Sequence, residues 1–490
     1  MKKRGMIEIK WMDMLLLLGV AFLFVALFST STSPLMGKPV AGDSAIFQTV
    51  GKWWAKGVLP YAELWDHKGP VIFLINAIGY WLTDSVVGLF IIQVCFLTAT
   101  EIVGFIFLKK NYSRQHALGL TLLMICSLSF DYSEGNGTEE YILPFLMISF
   151  IHVYRWGNGL RENEIEHKPL NAMIYGGTCA FALLTRATNS IGVYIAVMYI
   201  TLQLIIGKRW KNLLQNIGAF LAGAMILIIP FCIYFGAKGH LYDMWYGTIL
   251  FNLDYMGNSG PTWINNSLKD KIELFMGIMN AILLLIVGSL MWITNKEDRK
   301  KAVLWITTGG VTAWMLLSGH GYLHYAIITL PYFVIVLMEI KQLKVSKRIF
   351  SAGICGLIFI TLIGAGVRIK NLKGVYEYFQ NEEKRIELVN VIPDEDRNSF
   401  VAYNCRTSFY LEENICPKYR FFDLQDWQGK HSTKMKDEIT LEFQEGDARW
   451  ILVKDNGNIG IQNILDTRYT CVDQQNTGSV EYKLYKLNEK

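Results

Sequence analysis

Residues 1 to 28, MKKRGMIEIKWMDMLLLLGVAFLFVALF, set a KKR cluster ahead of a long apolar run. Such an opening is either a cleaved signal peptide or a retained first membrane helix. The run approaches the length needed to cross about 30 Å of hydrocarbon, and no A-x-A-like site directly follows it, so retention is expected. The rest of the chain agrees: 52% hydrophobic and 18% charged residues over 490 positions describe a polytopic membrane protein and not a soluble enzyme. A net charge of +5 is small. Its meaning lies in where the basic residues fall, and no nucleic-acid partner is expected. There are no internal repeats or low-complexity tracts.

Further apolar runs fall near 85–108, 116–130, 139–154, 170–185, 190–206, 213–235, 272–293, 302–318, 324–340 and 349–367, about 11 spans with the first. Several are shorter than the roughly 20 residues of an ordinary crossing. Orientation gives an independent test, because cytoplasmic loops are enriched in Lys and Arg. With the N-terminus inside, KKNYSR (109–114), GKRWK (207–211), NKEDRKK (295–301) and KQLKVSKR (341–348) all fall on the inner face. About 21 Lys and Arg then lie inside and about 8 in the outer loops. Trp11, Trp156, Trp210 and Trp292 sit near span ends, where an amphipathic ring is favoured.

An odd number of spans puts the C-terminal residues outside the cytoplasm. Their composition changes there, with more charge and short alternating runs: SFVAYN (399–404), ARWILVKD (448–455) and VEYKLYKL (480–487) read as strands. VYEYFQNEEKRIELVNVI and STKMKDEITLEFQE read as helices. The expected fold is mainly α: a polytopic membrane domain over 1–367 with a long first outer loop, and a small extracytoplasmic α/β domain over 368–490. Cys405 and Cys416 either pair in an oxidising compartment or stay free, and pairing would leave Cys471 over.

The first outer loop begins near Ser29 and is long for a connection between membrane helices, which favours a functional role. GDSAIFQTVGKWWAKG reads as a helix lying along the membrane surface, and VIFLINAIGYWL, too short to cross, as a second such helix or a re-entrant one. Between them lies AELWDHKGP (62–70), a knot of charge against an apolar run.

These residues carry a resemblance. Gly42-Asp43 just after the first span, Gly57-Val58-Leu59-Pro60-Tyr61 further on, and His67-Lys68-Gly69-Pro70 closing an acidic stretch resemble the GT-C superfamily of integral-membrane glycosyltransferases. Relatives include protein O-mannosyltransferases and lipid A aminoarabinose transferases. Gly69 stands where some relatives have a first proline. The resemblance implies a hexosyl- or pentosyltransferase with a polyprenyl-phosphate sugar donor and an outer-face acceptor, whether lipid, glycan or protein. It also implies a home in the bacterial cytoplasmic membrane, among membrane lipids.

Asp43 is then the expected base, since an acceptor hydroxyl attacking an anomeric carbon must lose a proton. The bland alternative is a helix-capping acid. Lys68 is the expected ligand of the departing phosphate, against the alternative of a snorkelling lysine. Arg186, in LLTRATNS, lies at an outer span end, where the positive-inside rule does not expect it. It either grips phosphate through its guanidinium fork or pairs with a nearby acid. In DYSEGNGTEEYILPF, Glu139 or Glu140 matches an acid of the relatives, with Glu140 preferred as a second catalytic group. An acid in a helix's first turn is also favoured simply by the exposed N–H groups.

Glu63 and Asp66 are accessory acids that shape the turn or balance Lys68. His324 and Tyr325 are expected at the donor, as an H-Y before an apolar span is in similar proteins. His320 and His324 have zinc-like spacing without an H-E-x-x-H. No cofactor is required by the pattern, which also admits a divalent cation held between Asp43 and a glutamate. Glu101, inside the second long run, is costly in lipid and should face other helices. A transporter of envelope precursors or a noncatalytic envelope-assembly subunit is the alternative function. A transporter would place its ionisable sites near the bilayer midplane in repeated halves, which are not seen.

Overall fold

The computed structural model describes residues 9–36, 42–257, 267–318, 321–343, 346–382, 386–455, 457, 459–477 and 480–488. Five helices among them are long and apolar enough to cross a membrane: Trp11–Phe28, Val86–Leu108, Ala187–Ile206, Trp210–Ala237 and Leu323–Gln342. Leu268–Gly277 and Met279–Thr294 form a sixth candidate, bent by 58° at the break. Further helices at Arg114–Asp131, Leu143–Gly159, Pro169–Leu183 and Arg299–Ser318 cover other runs singled out in the sequence. Along Trp210–Ala237 the exposed side chains include Leu214, Leu221, Ile226 and Ile233. Water would penalise such a surface and a bilayer would not, which makes this an integral membrane protein.

The chain divides into two compact units, one of residues 1–29, 90–234 and 259–368, the other of residues 30–89, 235–258 and 369–490. In the first, helices approach through small residues. A Cβ on Gly176 would lie 1.9 Å from the Phe220 carbonyl oxygen, and one on Gly223 would lie 2.0 Å from that of Met173. Helices Pro169–Leu183 and Trp210–Ala237 therefore touch backbone to backbone, as close packing in lipid requires. Lys301 and Glu339 form a fully buried ion pair at 2.6 Å, to which Trp305 Nε1 donates at 2.8 Å, so the buried charges are matched. Glu101 does face other helices: it is fully buried, and neither carboxyl oxygen has a hydrogen-bond partner. Trp156 departs from the interfacial expectation. It is buried, its Nε1 donating to the Ile165 carbonyl, while Trp11, Trp210 and Trp292 are exposed.

In the second unit, helices Asp43–Ala55 and Pro70–Thr83 pack on one another where the sequence expects a surface helix followed by a second such helix or a re-entrant one. A Cβ on Gly51 would meet Asn76 Cβ at 2.3 Å, so the pair closes at a glycine. The C-terminal part carries four strands, β1 (Phe400–Tyr403), β2 (Trp450–Asp455), β3 (Tyr469–Thr477) and β4 (Val480–Leu487), in the order β1-β2-β4-β3. β1 and β2 are parallel, joined through helices Ser408–Glu412, Gln425–His431 and Thr433–Glu445, and the other pairings are antiparallel. Three strands lie on the runs read as strands; β3 had no such signal. All eight cysteines are free thiols, so Cys405 and Cys416 do not pair. Cys405 is instead buried, its Sγ 3.4 Å from the carbonyl oxygens of Tyr403 and Leu452.

Candidate active site

The segment around AELWDHKGP is fixed by its own polar atoms. Gly57, at φ +101°, turns the chain as only a glycine does at low cost, and the Leu59 N–H donates to Glu63 Oε2 at 2.7 Å. Tyr61 N–H donates to the Leu64 carbonyl, and its hydroxyl to the Lys68 carbonyl, both at 2.7 Å. Asp66 Oδ1 accepts from the Lys68 N–H at 2.9 Å. Pro70 then opens helix Pro70–Thr83 at its first position, where the missing N–H costs nothing.

The same segment is bound to the C-terminal part of its unit. Trp65 N–H donates to the Arg420 carbonyl at 2.9 Å, and Arg420 Nε donates to the Tyr61 carbonyl at 2.8 Å. The Trp65 ring lies against Phe421 and the His67 ring against Trp427. Asn252 Nδ2 donates to the His67 carbonyl at 2.7 Å.

Gly42, at φ +113°, is the N-cap of helix Asp43–Ala55, and Asp43 is its first residue. Asp43 Oδ2 lies 3.3 Å from Lys68 Nζ. The Lys68 side chain is 14% exposed and that of Asp43 64%, so a partly enclosed cation meets a carboxylate open to an incoming molecule. His67 Nε2 lies 3.0 Å from the same Nζ, and the Phe47 ring lies beneath it. His67 Nδ1 faces Asp66 Oδ2 at 3.4 Å. Burial pushes the Asp66 carboxyl up, but His67 and Lys68 outweigh it and hold the group below the usual carboxylate range.

Asp423 went unnoticed in the sequence. It is buried between the Phe421 and Trp427 contacts, next to Leu424 in the left-handed region at φ +46°. Burial, with the charges of Asp66 and Asp43, pushes its carboxyl up to about 7. Glu442 is likewise raised to about 7 by burial, although it accepts the Arg420 N–H. A carboxyl raised in the fold keeps a proton that the unfolded chain releases above about pH 4. These two groups therefore lower stability as pH rises from about 4 to 7, and the loss levels off above 7. Asp423→Asn should be more protected than the wild type at pH 8 and no better at pH 5, measured by hydrogen exchange across residues 400–455.

The other expected site residues belong to the first unit. Arg186 NH1 lies 2.8 Å from Glu139 Oε1, so the arginine pairs with an acid, and its guanidinium stacks on the Tyr325 ring at 3.4 Å. His324 contacts Tyr325 edge-on at 4.6 Å and stacks on Tyr322 at 5.6 Å. Asn189 Nδ2 donates to Thr138 Oγ1 at 3.1 Å, tying the turn after Arg186 to the helix carrying Glu139. Glu140 has both carboxyl oxygens engaged, accepting from Gly137 N–H at 3.0 Å, Gln93 Nε2 at 2.8 Å and the Tyr132 hydroxyl at 2.5 Å. These three side chains form the polar corner of a small cavity walled by Phe96, Leu128 and Ile327. Among the described residues no group of three or more His, Cys, Asp or Glu side chains is arranged to hold a metal ion, and Glu139 and Glu140 are both committed elsewhere. His320 lies outside the described residues.

No known family model matches the sequence, and no curated protein matches it. Solved structures do match in shape. The chain superposes on ArnT from Cupriavidus metallidurans bound to undecaprenyl phosphate with a TM-score of 0.58 at 10% identity, over 97% of this chain and 98% of that one. The match to the Archaeoglobus fulgidus oligosaccharyltransferase, in complex with Zn and sulfate, has a TM-score of 0.44 at 10% identity, over 96% of this chain and 72% of that one. The ArnT match shows that this chain shares the fold of that protein. The sequence resemblance to lipid A aminoarabinose transferases thus has its counterpart at the level of the fold.

Proposed function

We propose that the protein is a glycosyltransferase that moves a sugar from a polyprenyl-phosphate donor to an acceptor on the outer face of the membrane, with inversion. The observation that carries this reading is the Asp43–Lys68 pair on the first loop of a GT-C fold. The undecaprenyl phosphate bound to ArnT is consistent with such a donor.

In the proposed reaction the acceptor oxygen attacks the anomeric carbon, and Asp43 takes the hydroxyl proton as the new glycosidic bond forms. The bond from the anomeric carbon to the phosphate oxygen breaks and its electron pair leaves with the polyprenyl phosphate. The phosphate group gains one negative charge in that step, and Lys68, already half enclosed, is the cation that meets it. Arg186, with His324 and Tyr325 beside it, is proposed as a donor contact whose guanidinium is held ready by Glu139. Glu140, the other proposed acid, is held by its three donors at the wall of the cavity. Glu63 and Asp66 shape the loop that presents Lys68. The membrane domain is assigned residues 1–367 and the outer domain 368–490, with the N-terminus inside and the protein in a bacterial cytoplasmic membrane.

Purified protein in lipid nanodiscs, titrated with undecaprenyl phosphate and followed by native mass spectrometry, should bind one lipid carrier. The same preparation should release carrier from polyprenyl-phosphate sugars when supplied with membrane acceptors. Absence of carrier binding would overturn the class, and carrier binding without transfer to any envelope fraction would favour the noncatalytic subunit.

A further inference from the structure

The reading of Lys68 as the phosphate ligand leaves open what holds its side chain in place, and this inference rests on that reading. An ammonium group has three donors and no acceptor, so the 3.0 Å contact between Lys68 Nζ and His67 Nε2 requires the ring nitrogen to accept. His67 then carries its proton on Nδ1, the atom that faces Asp66 Oδ2 at 3.4 Å. Asp66 is in turn fixed by the Lys68 N–H at 2.9 Å and is buried. The His67 ring sits against Phe251 and Trp427, with centroids 5.7 and 5.5 Å away, and Asn252 fixes its backbone carbonyl. Ring, tautomer and backbone are thus each restrained by a different neighbour, and the group the ring nitrogen addresses is the Lys68 ammonium.

We propose that His67 is a positioning residue that holds the Lys68 ammonium at the donor phosphate, through a neutral ring oriented by Asp66 and packed by Trp427. This resembles the way an outer carboxylate fixes the tautomer of a metal-bound histidine, with an ammonium in place of the metal. When a phosphate draws Lys68 away from Asp43, the bond to His67 keeps the lysine side chain from swinging into solvent. An entropic penalty on donor binding is thereby avoided.

The test uses the full chain in nanodiscs with undecaprenyl phosphate as probe. His67→Phe keeps the ring packing and loses the acceptor; it should weaken carrier binding by about three- to tenfold. His67→Gln places an amide oxygen near the Nε2 position and should return affinity to within about twofold of wild type. In a Lys68→Ala background, His67→Phe should cause no further loss, because the bond it removes no longer exists. Wild-type affinity in His67→Phe, no recovery in His67→Gln, or an equal loss in the Lys68→Ala background would each overturn the proposal, the last by marking His67 as merely structural. Failure of the wild type to bind the carrier would instead sink the donor reading, and this inference with it.

Discussion

Asp43→Asn is expected to lower the rate of sugar transfer by about 10²- to 10⁴-fold, the range that a positioned general base contributes. The substitution keeps the size of the side chain and removes the only property the reaction needs from it. Two features make the variant informative. Asp43 is largely exposed, so the fold loses little beyond the favourable placement of a negative charge at a helix start, about 0.3–1 kcal/mol. The variant also releases Lys68 from its counter-ion, so carrier binding should be kept or tightened while transfer collapses. Single-turnover transfer and equilibrium binding on the same preparation separate these effects. Undiminished transfer in a folded Asp43→Asn protein would remove Asp43 as the base.

Lys68→Ala should cut kcat by about 10²- to 10³-fold, as loss of one preorganised electrostatic contact typically does. The reasoning concerns where charge grows. A polyprenyl-phosphate sugar is a diester with one negative charge, and the departing carrier is a monoester approaching two. A cation beside it stabilises the transition state more than the bound substrate, so kcat should fall further than KM rises. Lys68→Arg keeps the charge but changes the group's shape, and His67 is placed for a compact ammonium; partial recovery is expected. A change confined to KM would assign Lys68 to carrier capture alone.

How much of this was legible in the sequence follows from the range of each interaction. Apolar runs and the distribution of lysine and arginine are local properties, and the helices lie on those runs. β1, β2 and β4 alternate clearly. β3 does not, because YTCVDQQNT is an edge strand whose residues face water on much of its surface, and only its ladder with β4 defines it. Asp43 and Lys68 were visible as members of a motif. Their contact was not, since it depends on two helices closing at Gly51 against Asn76. Asp423 gave no signal at all: one of two aspartates in YRFFDLQDW, it acquires meaning only when that stretch meets Trp65 and His67. Arg186 was suspicious for lying on the unexpected side, but its partner Glu139 and its stacking ring Tyr325 come from separate segments.

The two bonds between Arg420 and the Tyr61–Trp65 stretch join positions 359 residues apart in the case of Arg420 and Tyr61. At about 5 to 20 residues per second, a ribosome needs roughly 20 to 70 s to travel that distance. Throughout that interval the first helices can already occupy the bilayer while the loop bearing Lys68 lacks its anchor. On the proposed function, a nascent chain would stay inert toward its donor until the segment carrying Arg420 has been made.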